Sequence, residues 1–141
     1  MQFTKSDTVY IIKIEKGEEV LSTLSTFCGE QGIPNAYFTG IGAAQGLSCG
    51  YCALDEKKYY FTNYPELVEV VSLSGNIFLK EGTPFVHAHG VFTDTKNQAF
   101  GGHIEKITSG IVIEVVLTVL PTSLQRTYDE EIGLYLFNCR E

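Results

Sequence analysis

Ten consecutive residues, Ile111 to Leu120 (I-V-I-E-V-V-L-T-V-L), constrain this chain most, because eight of them are Val, Ile or Leu. β-Branched side chains lose rotamer freedom in a helix and pack well on a pleated surface. The run therefore predicts a central strand buried on both faces, as near-continuous apolar strands are. Pro121 ends it. Glu114 interrupts it, and a carboxylate buried without a partner costs several kcal/mol or is forced to take up a proton. Glu114 thus calls for Arg126 across the Pro121 corner, for a histidine N–H, or for a metal. A structural ion pair and a functional carboxylate are equally open at this point.

The other segments are short and mostly extended. Asp7 to Glu15 reads as a first strand, broken by Gly17. Val20, Leu21, Leu24, Phe27 and Cys28 recur at helical spacing, which predicts one amphipathic helix from Glu18 to about Gln31, stopped by Gly32 and Pro34. Asn35 to Gln45 reads as a strand in which Gly40 and Gly42 mark a bulge or a close approach. Leu47–Leu54 and Lys57–Thr62 form a hairpin turning at Asp55-Glu56. Glu66–Leu73 and Asn76–Leu79 follow, and after the central run Ser123–Tyr128 and Ile132–Asn138 close the chain. One helix, eight or nine strands and no βαβ alternation define an α+β domain, mostly antiparallel sheet with the helix laid on it, over residues 1–141 as a single unit.

All three histidines fall in one predicted hairpin. In Pro84-Phe85-Val86-His87-Ala88-His89-Gly90-Val91-Phe92, strand alternation puts His87 and His89 on one face, with Val86, Ala88 and Gly90 on the other. Asp94-Thr95-Lys96-Asn97 is a turn cluster, and it returns Gln98–Glu105 beside the first strand so that His103 of Gly101-Gly102-His103 approaches the pair. Three neutral imidazoles on neighbouring strands make a metal-ligand set; a purely hydrogen-bonding role is the alternative. Zinc is the default ion, with iron, nickel or copper also compatible. Three protein ligands leave an open position for water or substrate. Glu105, two residues from His103, and Glu114 are the candidate general bases or supporting carboxylates. No reaction is named by these residues.

Other motifs carry less. Cys49-Gly50-Tyr51-Cys52 does not open a helix, and positions i and i+3 of a strand face opposite ways, so the pair reads as small strand residues rather than a redox centre. There is no G-x-S-x-G, P-loop or dinucleotide fingerprint. Ten Lys and Arg stand against seventeen Asp and Glu, a net charge of −7. That balance favours solubility and disfavours direct binding to nucleic acid or an anionic membrane. No stretch approaches eighteen uninterrupted apolar residues and no leader is visible, so the expected location is cytoplasmic, with Cys28, Cys49, Cys52 and Cys139 reduced.

Several motifs in order are familiar. Gly40-Ile41-Gly42-Ala43, Glu69-Val70-Val71-Ser72-Leu73-Ser74-Gly75-Asn76-Ile77, Gly82-Thr83-Pro84-Phe85-Val86-His87-Ala88-His89, Phe100-Gly101-Gly102-His103 and Arg126-Thr127-Tyr128-Asp129 resemble the plants-and-prokaryotes-conserved (PPC) domain, of the stand-alone prokaryotic kind. The resemblance implies a β-rich sheet carrying a helix, assembled as a homotrimer. It also implies that the histidines line a site near a subunit boundary, which holds a metal such as zinc in some prokaryotic members. Plant members carry the domain beside AT hooks. This sequence has no R-G-R-P hook, and where plant members have G-R-F-E-I-L it has Glu66-Leu67-Val68-Glu69-Val70-Val71, matching only the glutamate. A trimeric metal protein of unsettled activity, open to a small-molecule ligand, is thus one expectation. A non-enzymatic regulatory or DNA-associated module acting through a protein partner is the other.

Overall fold

The computed structural model describes residues 1–122 and 124–139. Nine strands and one helix follow in order: β1 (Gln2–Ser6), β2 (Val9–Glu15), α1 (Val20–Glu30), β3 (Ala36–Ala53), β4 (Lys58–Lys80), β5 (Thr83–Thr93), β6 (Ala99–Lys106), β7 (Ser109–Val119), β8 (Gln125–Asp129) and β9 (Leu134–Phe137). All strands join one sheet in the order β1-β2-β7-β3-β6-β5-β4-β8-β9. Every ladder is antiparallel except the short β4–β8 pair. Strand β3 also pairs with β4 along its length, and β6 pairs with both β3 and β5, so these four strands close on themselves. The predicted mostly antiparallel sheet carrying one helix is what forms.

Helix α1 buries Val20, Leu24, Phe27 and Cys28 against the sheet. The Glu19 carboxylate caps its start, accepting from the Leu21 and Ser22 amides, and so satisfies two N–H groups the helix leaves free. Gly32, at φ +64°, ends it: its amide donates to the Gly29 carbonyl and that of Ile33 to the Cys28 carbonyl. Among the described residues no helix is long and apolar enough to cross a membrane.

Three readings from sequence change. The segments read as separate strands on either side of Gln45-Gly46-Leu47, and from Lys57 to Leu79, are two long continuous strands, β3 and β4; β3 is irregular at Gly40–Gly42, as expected, and again at Gln45–Leu47. Gln2–Ser6 supplies an edge strand that its polar composition does not announce. Strand β7, expected to be buried on both faces, is buried on one from Ile113 onward: Ile113, Val115 and Leu117 are sealed, whereas the alternate position Val116 is 42% exposed. The helix and core occupy only one side of this part of the sheet, so alternate residues of an apolar run meet solvent. Glu114 is on that open side and is exposed. Ser123, where the penultimate piece was read to begin, lies outside the described residues; the described part of it, Gln125–Asp129, is β8.

Candidate metal centre

Strand β5 carries His87 and His89 on the face opposite buried Val86 and Ala88. Asp94 makes the turn that follows, its Oδ1 accepting from the Lys96 and Gln98 amides. Strand β6 then returns in register, with His103 directly opposite His89. The strands must lie close for this. A Cβ on Gly101 would sit 2.1 Å from the Gly90 carbonyl oxygen, and one on Gly75 of β4 would sit 2.3 Å from the His87 carbonyl oxygen. The glycines of the G-G-H and S-L-S-G motifs are there for backbone approach.

The three rings converge on a small triangle. His87 Nε2 lies 3.2 Å from His103 Nδ1 and 3.3 Å from His89 Nε2, and His103 Nδ1 lies 3.4 Å from His89 Nε2. Two metal–imidazole bonds of about 2.05 Å at the tetrahedral angle span about 3.3 Å, so the triangle has the size of one face of a zinc tetrahedron. Hydrogen bonds alone do not satisfy it. A ring N–H donates and cannot accept, and a ring nitrogen with a lone pair accepts and cannot donate. With three nitrogens in mutual contact, one edge always sets lone pair against lone pair or N–H against N–H. The described residues therefore include a three-histidine group able to hold a metal ion.

The surroundings favour the neutral form of His87 and His103. Burial pushes His87 down to about 4 from its ordinary 6.5, with Arg126, His103 and His89 adding to the effect. His103 is lowered chiefly by burial, then by His89 and Arg126, with Glu105 opposing. Neutral imidazole is the form with a lone pair to give. Tyr59 packs its ring 4.6 Å from that of His103, and Phe61 stacks behind Tyr59.

Neither carboxylate singled out from sequence touches the rings. Glu114 pairs in register with Lys13 and Ile41, and lines a surface depression with Gln2, Phe3, Thr4 and Ile11. Its anticipated partner Arg126 is elsewhere. The parallel ladder sets Arg126 beside Lys80, 93% buried, where Nη1 donates to the Tyr135 carbonyl and Nη2 to Asn76 Oδ1, with His87 Nδ1 at 3.3 Å. Glu105 accepts from the Ser48 hydroxyl at 2.6 Å and acts on His103 only through its charge. Sequence reasoning missed Tyr59, Asn76 and Tyr135; none carries a local signal, since each arrives from a strand distant in sequence. Cys49 is buried and Cys52 half-buried on opposite faces, both as free thiols, and burial raises the Cys49 thiol pKa, which suits the structural reading.

Fold and site together define a β-sheet domain with a three-imidazole cluster beside a cavity. Residues 1–121 match the Plants and Prokaryotes Conserved (PCC) domain, and the chain belongs to that family. Solved structures agree. A candidate DNA-binding protein from Ralstonia eutropha is 33% identical, with 98% of this chain and 96% of that one covered and a TM-score of 0.91. A plant- and prokaryote-conserved protein from Pyrococcus horikoshii is 30% identical, with 99% and 96% covered and a TM-score of 0.89. A protein from Archaeoglobus fulgidus described as metal-containing is 28% identical, with 97% and 96% covered and a TM-score of 0.86. No curated protein matches the sequence.

The lowered His87 pKa has a sign that can be checked. Between pH 6.5 and about 4 the unfolded chain binds a proton at His87 that the folded chain does not, so acidification through that window costs stability. Thermal unfolding of chelator-treated protein is expected to show a melting temperature that falls from pH 7 to pH 4. The His87→Gln variant is expected to show a shallower fall; equal slopes would remove His87 as a source.

Proposed function

We propose that His87, His89 and His103 hold one divalent ion, zinc by its preference for imidazole, and that this centre is where the protein does its chemistry. The observation that carries the reading is the nitrogen triangle, which fits a tetrahedral ion and which hydrogen bonds cannot complete. The metal-containing relative from Archaeoglobus supports it. An ion bound there would polarise a substrate oxygen or activate water near neutral pH. The chain's own residues set the conditions. Burial and Arg126 favour unprotonated His87 and His103, and Tyr59 braces His103. Tyr59 also lines the adjoining cavity, and burial raises the pKa of its hydroxyl. Glu105, held by Ser48, acts on His103 from outside the triangle through its charge and is not placed to serve as a base. Elemental analysis after gel filtration is expected to give about one metal per chain in the wild type and a large loss in His87→Ala or His89→Ala. Metal-free wild type after zinc incubation would refute the centre.

We further propose that the protein is a homotrimer built on the open face of its sheet, with residues 1–141 as one unit. Ile11, Tyr37, Ile41 and Val116 are between 42% and 57% exposed on neighbouring strands, and Ile11 and Ile41 lie opposite Val116 and Glu114 in register. Contiguous apolar surface of this kind is characteristic of an interface. Sedimentation is expected to give three times the chain mass, and Ile41→Asp, which sets a charge in the patch, is expected to yield a monomer that still folds. An Ile41→Asp trimer would place the interface elsewhere.

The description of the Ralstonia relative as a candidate DNA-binding protein stands in tension with a net charge of −7. We propose that any DNA association runs through a protein partner, because neutralising phosphates needs a cationic surface. No retardation of random duplex at physiological salt is the expected gel-shift result; a shift that weakens with added salt would establish direct contact.

A further inference from the structure

Among the described residues, Arg126 is a buried cation without an anion. It is 93% buried, and among the described residues no carboxylate pairs with it; its three polar partners are two neutral oxygens and a ring nitrogen. Its Nε, closed off from solvent, makes no hydrogen bond among the described residues. A guanidinium removed from water costs several kcal/mol unless a counter-charge meets it. Lys80, with its ammonium 3.7 Å above the Tyr135 ring, places a second positive charge alongside.

Both cations line the same cavity of about 290 Å³, which reaches His87 and His103. Its remaining wall is largely aromatic: Tyr59, Phe85, Tyr128 and Tyr135. Such a site has the parts of a small-ligand pocket, an apolar body with a few convergent polar groups. The Arg126–His87 contact adds a coupling. With Nε2 of a neutral His87 given to an ion, the ring proton must sit on Nδ1, which then faces Arg126 Nη2 donor to donor. That N–H of Arg126 is released toward an incoming acceptor.

We propose that this cavity binds a small organic acid, its carboxylate on Arg126 and Lys80, its carbon body on the aromatic wall, and a hydroxyl or oxo oxygen next to the carboxylate turned to the three-histidine centre. The last element rests on the metal reading above; the first two do not. A carboxylate with a carbon body fits better than a phosphate because the guanidinium and the ammonium are set in a largely aromatic and aliphatic wall, which a phosphate leaves unfilled.

Isothermal titration of the full chain, zinc-loaded and chelator-stripped, with butyrate, 2-hydroxybutyrate and inorganic phosphate tests this. Butyrate is expected to bind both forms alike, and 2-hydroxybutyrate to bind the zinc form about tenfold more tightly than the stripped form. Arg126→Met, close in volume and uncharged, is expected to lose at least about tenfold for both acids, and Lys80→Met severalfold. Should Arg126→Met fail to fold, Lys80→Met carries the test. No carboxylate binding to protein shown to contain zinc overturns the inference while leaving the metal centre standing. Arg126-dependent butyrate binding with no metal uptake overturns the metal centre and the hydroxyl contact alone. Phosphate binding more tightly than either acid replaces the carboxylate with a phosphate.

Discussion

The antiparallel register that sets His89 opposite His103 is the constraint on which the site depends. Side chains alternate across a strand, so a slip of one residue in either strand would turn its imidazoles into the core and bring Val86, Ala88 or Ile104 out. Three features pin that register. Buried Val86, Ala88, Phe92 and Ile104 hold the inner face, Asp94 fixes the turn, and Gly75 and Gly101 allow the neighbouring backbones to close in. The cluster is therefore built on paired strands rather than on loops, which suits a site whose nitrogens must stay within tenths of an ångström.

Burial sets the protonation of the shifted histidines, and the charge that adds to it is a cation rather than an acid. Arg126 reaches His87 because β8 runs parallel to the end of β4, the one parallel ladder among the described residues. Burial first, with the Arg126 charge adding to the effect, keeps His87 neutral far below the usual histidine range. The same guanidinium is left without a carboxylate among the described residues, so the features that prepare the imidazoles for a metal also leave the adjoining cavity electropositive within a chain of net charge −7. A local field opposite in sign to the whole molecule belongs to a pocket for a small anion rather than to a surface for a polyanion.

What was legible in the sequence was whatever depends on local periodicity. The α1 stripe with its glycine stop, the histidine hairpin with its turn, and the inward and outward sets on β5 all follow from spacing, because periods of 3.6 and 2 are properties of the chain itself. The resemblance to the PPC family was likewise carried by short motifs in order. Glu114 shows the limit. Its place in an apolar strand was read correctly, but an apolar strand can be sealed on one face only, and composition does not say which side of a sheet carries the helix.

The sequence by itself determined an antiparallel α+β chain with all its imidazoles on one hairpin face. Only the tertiary structure decided that β3, β4, β5 and β6 close on themselves, that Arg126 serves His87 rather than Glu114, and that Tyr59 and Asn76 join the site. Those neighbours are separated by tens of residues in the chain. Their meeting is fixed by which strand edges pair across the sheet, and that choice is made by the sum of many weak packing terms rather than by any single motif.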